Sequence, residues 1–84
     1  MSRVSPDVVG RRLDDRFVVV NLHTNRIYEL NSTAAALWEL LESGADHPQL
    51  ESQMLERFRV EPDELRRQIE GTMRELRDAG LVSA

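Results

Sequence analysis

The run from Phe17 to Leu41, FVVVNLHTNRIYELNSTAAALWELL, constrains this chain more than any other segment. Two short stretches rich in β-branched and apolar residues flank a polar turn, and the second leads without a linker into a helical pattern. Such a segment folds as a hairpin whose last strand is fastened to a helix. The last strand of a small meander has one unpaired side, and an unpaired side can take up another extended peptide.

The turn can be placed from the pleat. A three-residue loop, His23-Thr24-Asn25, pairs Leu22 with Arg26, Val20 with Tyr28 and Val18 with Leu30. Val18, Val20, Leu22, Tyr28 and Leu30 then share one apolar face, whereas a loop one residue longer or shorter puts Glu29 there. The buried face sets register, so the three-residue loop is expected. Asn25 is expected in the left-handed conformation that closes such a loop.

Upstream, Val8 to Leu13 reads as a first strand with Asp14-Asp15 as its turn, and residues 1–7 as a lead-in. Downstream, Asn31 or Ser32 caps a helix whose Ala34, Leu37, Trp38 and Leu41 fall on one face. Gly44 ends it. Asp46 or His47 starts a second helix, with Pro48 in its first turn and Leu50, Met54, Leu55 and Phe58 inward. Pro62 opens a third, with Leu65, Ile69, Thr72, Met73 and Leu76 as its inner stripe. Gly80 stops it, and Leu81-Val82 returns to the core. The expected architecture is α+β and winged helix-turn-helix-like: a three-stranded antiparallel N-terminal sheet followed by three helices. Residues 1–84 are expected to form one domain.

Charge limits the partners. Residues 1–30 hold five Arg against four acids, and residues 31–84 hold six Arg against eleven acids. The third helix carries Arg66, Arg67, Arg74 and Arg77 against Asp63, Glu64, Glu70, Glu75 and Asp78. A winged-helix module reads duplex DNA with a basic element, so this acidic helix argues against nucleic acid. No apolar run is long enough for a bilayer, and Met1-Ser2-Arg3-Val4 holds no hydrophobic signal region. With no cysteine in the chain, disulfides and thiolate sites are excluded, which fits a cytoplasmic protein.

Catalytic chemistry finds little footing. His23 and His47 have no partner at ligand spacing, Asp14-Asp15 reads as a turn, and Ser32-Thr33 as a cap. The four glycines are scattered, so no phosphate loop exists. No cofactor, metal or enzyme activity is expected. Arg26-Ile27-Tyr28-Glu29-Leu30 stands out instead. It is either an ordinary edge strand guarded by Arg26 and Glu29 or an acceptor edge for a peptide. The third helix's arginines are likewise either a solvated face, with pairs such as Glu70–Arg74, or a grip on a ligand.

One ordered set of residues carries a resemblance. Leu22-x-x-x-Arg26-Ile27-Tyr28-Glu29-Leu30-Asn31-x-Thr33-Ala34-Ala35-x-Leu37-Trp38-x-Leu40-Leu41 resembles the PqqD family, as do Phe58-Arg59-Val60-Glu61-Pro62 and Leu76-x-x-x-Gly80-Leu81-Val82. These are leader-peptide recognition domains of ribosomally made, post-translationally modified peptide pathways. Glu61 stands where the family commonly has Asp, and Thr24-Asn25 where it commonly has Thr-Gly.

The resemblance implies that a precursor's leader adds to the third strand as a further strand, in the cleft between that strand and the third helix. The backbone of Arg26 to Leu30 would bond it. Ile27, Tyr28, Leu30, Leu65, Ile69, Met73 and Leu76 are the apolar candidates, and Arg66, Arg74 and Arg77 would meet acidic leader residues at the rim. A short free-standing chain of this kind is most similar to the B1 proteins of lasso-peptide pathways. Those deliver the precursor to a separate cysteine leader peptidase, after which a cyclase closes the ring. The alternative is presentation of a precursor to a radical-SAM enzyme, as in quinone-cofactor synthesis.

Overall fold

Hydrophobic alternation and helix caps produce eight elements in the computed structural model, which describes residues 3–83 apart from the side chain of His47. They are β1 (Arg3–Val4), β2 (Val8–Leu13), β3 (Arg16–Asn21), β4 (Arg26–Leu30), α1 (Ser32–Glu42), α2 (His47–Arg57), α3 (Pro62–Asp78) and β5 (Val82–Ser83). β2, β3 and β4 make an antiparallel sheet in that order, and the three helices follow it, as the sequence predicts.

Asp14-Asp15 forms the two-residue turn between β2 and β3, with Leu13 opposite Arg16. Asp14 takes the left-handed conformation, φ 56°, which a short polar side chain tolerates.

The second hairpin departs from the expected register. Its loop is Leu22–Asn25, four residues, so Asn21 pairs with Arg26, Val19 with Tyr28 and Phe17 with Leu30. Tyr28 and Leu30 face the helices as expected, but β3 is turned over: Phe17, Val19 and Asn21 face inward, and Val18 and Val20 face outward with Ile27 and Glu29. Two things favour this phase. Phe17 buries a larger apolar surface than Val18. Asn21, which looks like an outward residue, satisfies its amide inside: its Oδ1 accepts from the N–H groups of His23 and Thr24 at 2.9 and 3.2 Å. Asn25 is left-handed, φ 60°, as expected.

The lead-in is more than a tail. β1 pairs with β5, Arg3 opposite Ser83 and Val4 opposite Val82, and the Ser5 N–H donates to Leu81 O at 3.0 Å. Strands of two residues have no period for a sequence to display.

Each helix starts where a side chain or a proline can satisfy its first turn. Asn31 Oδ1 accepts from the Ala34 N–H at 2.8 Å to cap α1. Asp46 and Gln49 form a reciprocal capping box on α2, with Pro48 in the first turn. Pro62 opens α3, and Asp63 and Glu64 lie at its positive end. Gly44 and Gly80 end α1 and α3 with positive φ. Trp38, Leu37, Met54, Leu65, Ile69, Leu81 and Val19 are fully enclosed. Leu55 does not join them: it is exposed on α2, whose inner face needs only Leu50, Met54 and the half-buried Phe58.

Candidate peptide-binding groove

β4 pairs with β3 on one side only; among the described residues no backbone hydrogen bond reaches its other side. The alternation of an antiparallel ladder tells which groups are left over. The Leu22 N–H donates to Asp7 O at 2.8 Å, so the even residues of β3 bond toward β2 and its odd residues toward β4. Phe17, Val19 and Asn21 therefore engage Leu30, Tyr28 and Arg26. Ile27 and Glu29 are left with N–H and C=O pointing outward. Of the predicted backbone donors and acceptors from Arg26 to Leu30, these two residues form the free edge.

An open pocket lies at each end of the edge. One of about 710 Å³ lies at the Arg26 end, between the β3–β4 loop and the end of α3; Arg26, Tyr28, Asp78, Ala79 and Gly80 are among its walls. Another of about 360 Å³ lies at the Leu30 end, where Phe17, Leu30, Ala35, Ala36 and Phe58 supply apolar surface. Arg12, Arg16 and Arg57 are balanced there by Asp15, Glu29 and Glu39, with Arg12 paired to Glu39 and Arg16 to Glu29. Asp78 and Ala79, at the end of α3, line the Arg26-end pocket together with Arg26 and Tyr28, so α3 stands across it from the start of β4. Strand edge, helix wall and two end pockets together describe a slot for an extended chain.

A family model described as coenzyme PQQ synthesis protein D matches residues 16–82. The chain belongs to the PqqD family. No curated protein sequence matches it significantly. Among solved structures it is similar to TbiB1 in complex with the TbiA(beta) leader peptide, with a TM-score of 0.91 at 23% identity over 98% of this chain and 95% of that one. It is also similar to a lasso peptide synthetase B1 complexed with its leader peptide, TM-score 0.87 at 20% identity, over 99% and 98% of the two chains. At these identities the likeness establishes a shared fold.

On this PqqD fold the predicted site residues separate into two groups. Arg26, Ile27, Tyr28, Glu29 and Leu30 lie together on the edge, with Ile27 68% exposed. Leu65, Ile69, Met73 and Leu76 do not line an open wall, because they are enclosed in the core as the inner stripe of α3. Arg66 sits on the opposite flank of α3: its Nε donates to Glu51 of α2 at 3.1 Å, and its guanidinium also reaches Asp63 at 3.7 Å. At about 100° per residue, Arg77 lies within about 20° of Arg66 and Arg74 about 80° from it. Arg66 is therefore engaged on the α2 side of α3, and helical spacing puts Arg77 near it.

The other flank of α3 carries a different set of residues. Gln68, Thr72, Glu75 and Ala79 lie about 180–240° from Arg66, across the buried stripe, and Ala79 is already placed there by the pocket it shares with Tyr28. Sequence reasoning missed them because the apolar stripe identifies a helix's inner face and leaves its two flanks equivalent. The periodicity contained the flank; only the position of α2 tells which side it is. His23, exposed in the β3–β4 loop, also borders the 710 Å³ pocket. Among the described residues no group of three or more His, Asp or Glu side chains is arranged to hold a metal ion, and no helix is long and apolar enough to cross a membrane.

Proposed function

We propose that this PqqD-family chain binds the leader region of a ribosomally made precursor peptide by strand addition to β4. In this reading it is a non-catalytic cytoplasmic carrier that hands the precursor to a separate cysteine leader peptidase in lasso-peptide biosynthesis, with a cyclase acting afterwards. The observation that carries it is the unpaired backbone edge of Ile27 and Glu29, beside a pocket that Arg26 and Tyr28 share with Asp78 and Ala79 at the end of α3. Backbone bonding supplies affinity and is blind to sequence; the end pockets and the flank of α3 supply selectivity. Support for the lasso assignment is that both similar structures are B1 proteins held with leader peptides.

Delivery needs a surface for a second protein. Of the five large exposed apolar residues among those described, four, Val9, Leu13, Leu22 and Ile27, lie on or beside the sheet face turned away from the helices. Val9, Val20 and Ile27 form a continuous row across the three strands there. Such a patch on a small protein is suited to a partner protein.

The test is a titration with a synthetic peptide carrying the leader of the precursor encoded beside this chain. Binding should shift the amide signals of Ile27 and Glu29 and slow their hydrogen exchange, while Tyr28, already bonded to β3, changes less. No binding, or binding that leaves β4 untouched, overturns the reading. The partner is tested by pull-down of the peptidase with and without the precursor. A radical-SAM enzyme retained in its place would favour the alternative of presentation for quinone-cofactor synthesis.

A further inference from the structure

Asn21 is the one buried polar residue among the described side chains, 5% exposed on the inner face of β3. The alternation of that strand, Phe17 then Val19, would put a third apolar side chain there, and burying an amide costs free energy unless it is bonded. The three hydrogen bonds its side chain makes are directed at the groove's frame. The N–H groups of His23 and Thr24 converge on one amide atom, at 2.9 and 3.2 Å, and only the carbonyl oxygen can receive both. That fixes the other half of the amide: Nδ2 points to Gly80 O, a long contact of 3.4 Å.

Gly80 is the left-handed residue that ends α3, and its carbonyl also accepts from Ser5 Oγ at 3.1 Å. A Cβ on Gly80 would stand 3.5 Å from Asn21 Nδ2, so the amide lies in contact range of the Gly80 backbone. Asn21 thus holds the loop that leads into β4 with one atom and the end of α3 with another. These are the two walls of the slot, and the pocket at its Arg26 end is lined by Asn21 itself. A guest strand must enter about 4.8 Å beyond β4. The distance from β4 to α3 therefore decides whether the slot fits before the guest arrives.

Resting on the leader-binding reading above, we infer that Asn21 is a positioning residue for peptide recognition: its amide ties the β3–β4 loop to the C-terminal end of α3 and presets the width of the groove. A chain lacking the tie would spend part of its time with the slot misshapen, and apparent affinity falls by the fraction of molecules that remain competent.

Asn21→Asp separates the two duties. The carboxylate still accepts from His23 and Thr24, but it offers no donor to Gly80 and sets negative charge against that carbonyl. Leader titration is compared among the unmodified chain, Asn21→Asp and Leu50→Val, an α2 core variant that loses stability away from the groove, all at a temperature where circular dichroism shows each folded. Asn21→Asp should bind the same synthetic leader about tenfold more weakly, and Leu50→Val like the unmodified chain. A second measurement uses the unmodified chain alone: the Asn21 side-chain NH₂ signals should be protected from exchange and shift when leader is added. Asn21→Asp binding within about twofold of the unmodified chain, or side-chain amide protons that exchange as freely as those of an exposed Asn, overturns the inference. Failure of the unmodified chain to bind overturns the leader reading, and the inference with it.

Discussion

Gly10 of β2 lies directly against the indole of Trp38: a Cβ added at Gly10 would fall 2.5 Å from Trp38 Nε1 and 3.0 Å from the ring of Phe17. Trp38 is fully enclosed, and its Nε1 finds no hydrogen-bond acceptor among the described residues. The sheet and α1 are therefore joined at a point where one strand residue has no side chain. Gly10→Ala should cost about 1–3 kcal/mol, the usual penalty for forcing extra volume into a packed core. Urea unfolding measures it; an unchanged midpoint would mean that Trp38 can move aside freely.

Because the ladder alternates, proline should act oppositely at neighbouring positions of β4. Glu29→Pro removes an outward-pointing N–H that bonds nothing in the free protein, so the domain should stay folded while leader binding falls about tenfold or more. Tyr28→Pro removes an N–H that serves β3 and strands the carbonyl of Val19, at a cost of about 1–3 kcal/mol. Thermal unfolding and peptide titration of both variants check this. Equal loss of stability at the two positions would contradict the assigned phase of the edge.

Asn31 follows β4 and caps α1, so one side chain fixes both where the edge strand stops and where the helix begins. Asn31→Ala should lower stability by about 1 kcal/mol, whereas Asn31→Asp should retain it, since a carboxylate caps equally well and favours the positive helix end. Denaturant midpoints of the two variants give the comparison. A cap without energetic value would show as no difference between them.

Much of this architecture is legible in the residues. Asn25 in its left-handed turn, the caps of α1 and α2 to within one residue (Asn31 or Ser32, Asp46 or His47, of which Asn31 and Asp46 serve), and Gly44 and Gly80 at helix ends all act locally, within a few positions of the signals that announce them. The edge segment Arg26 to Leu30 is also legible, because a strand that closes a meander has nothing beyond it. What the sequence hides is non-local. β3 offers two apolar phases, and the choice turns on Asn21, whose buried amide is satisfied by its own loop and by Gly80, 59 residues away. The flanks of α3 are equivalent until α2 packs on one of them, and so the arginines looked available to the groove, while Thr72, read as part of the inner stripe, lies at its border and is only half-buried.

That last distinction yields a prediction in which charge and geometry disagree. If leader recognition depended on basic residues gripping an acidic peptide, Arg66 and Arg77 would be the residues to remove. Arg66 instead reaches across to Glu51 of α2, an exposed pair worth about 0–1 kcal/mol, and Arg77 shares its flank. Arg66→Ala and Arg77→Ala should therefore leave leader affinity within about twofold. Thr72 is half-buried on the other flank of α3. Thr72→Arg puts a long charged side chain into the slot and should weaken binding about tenfold, with little change in stability because the side chain can extend into solvent when the slot is empty. Affinities from one titration series decide between the two flanks. A large loss in the arginine variants together with none in Thr72→Arg would place the peptide on the α2 side of the helix and displace the groove described here.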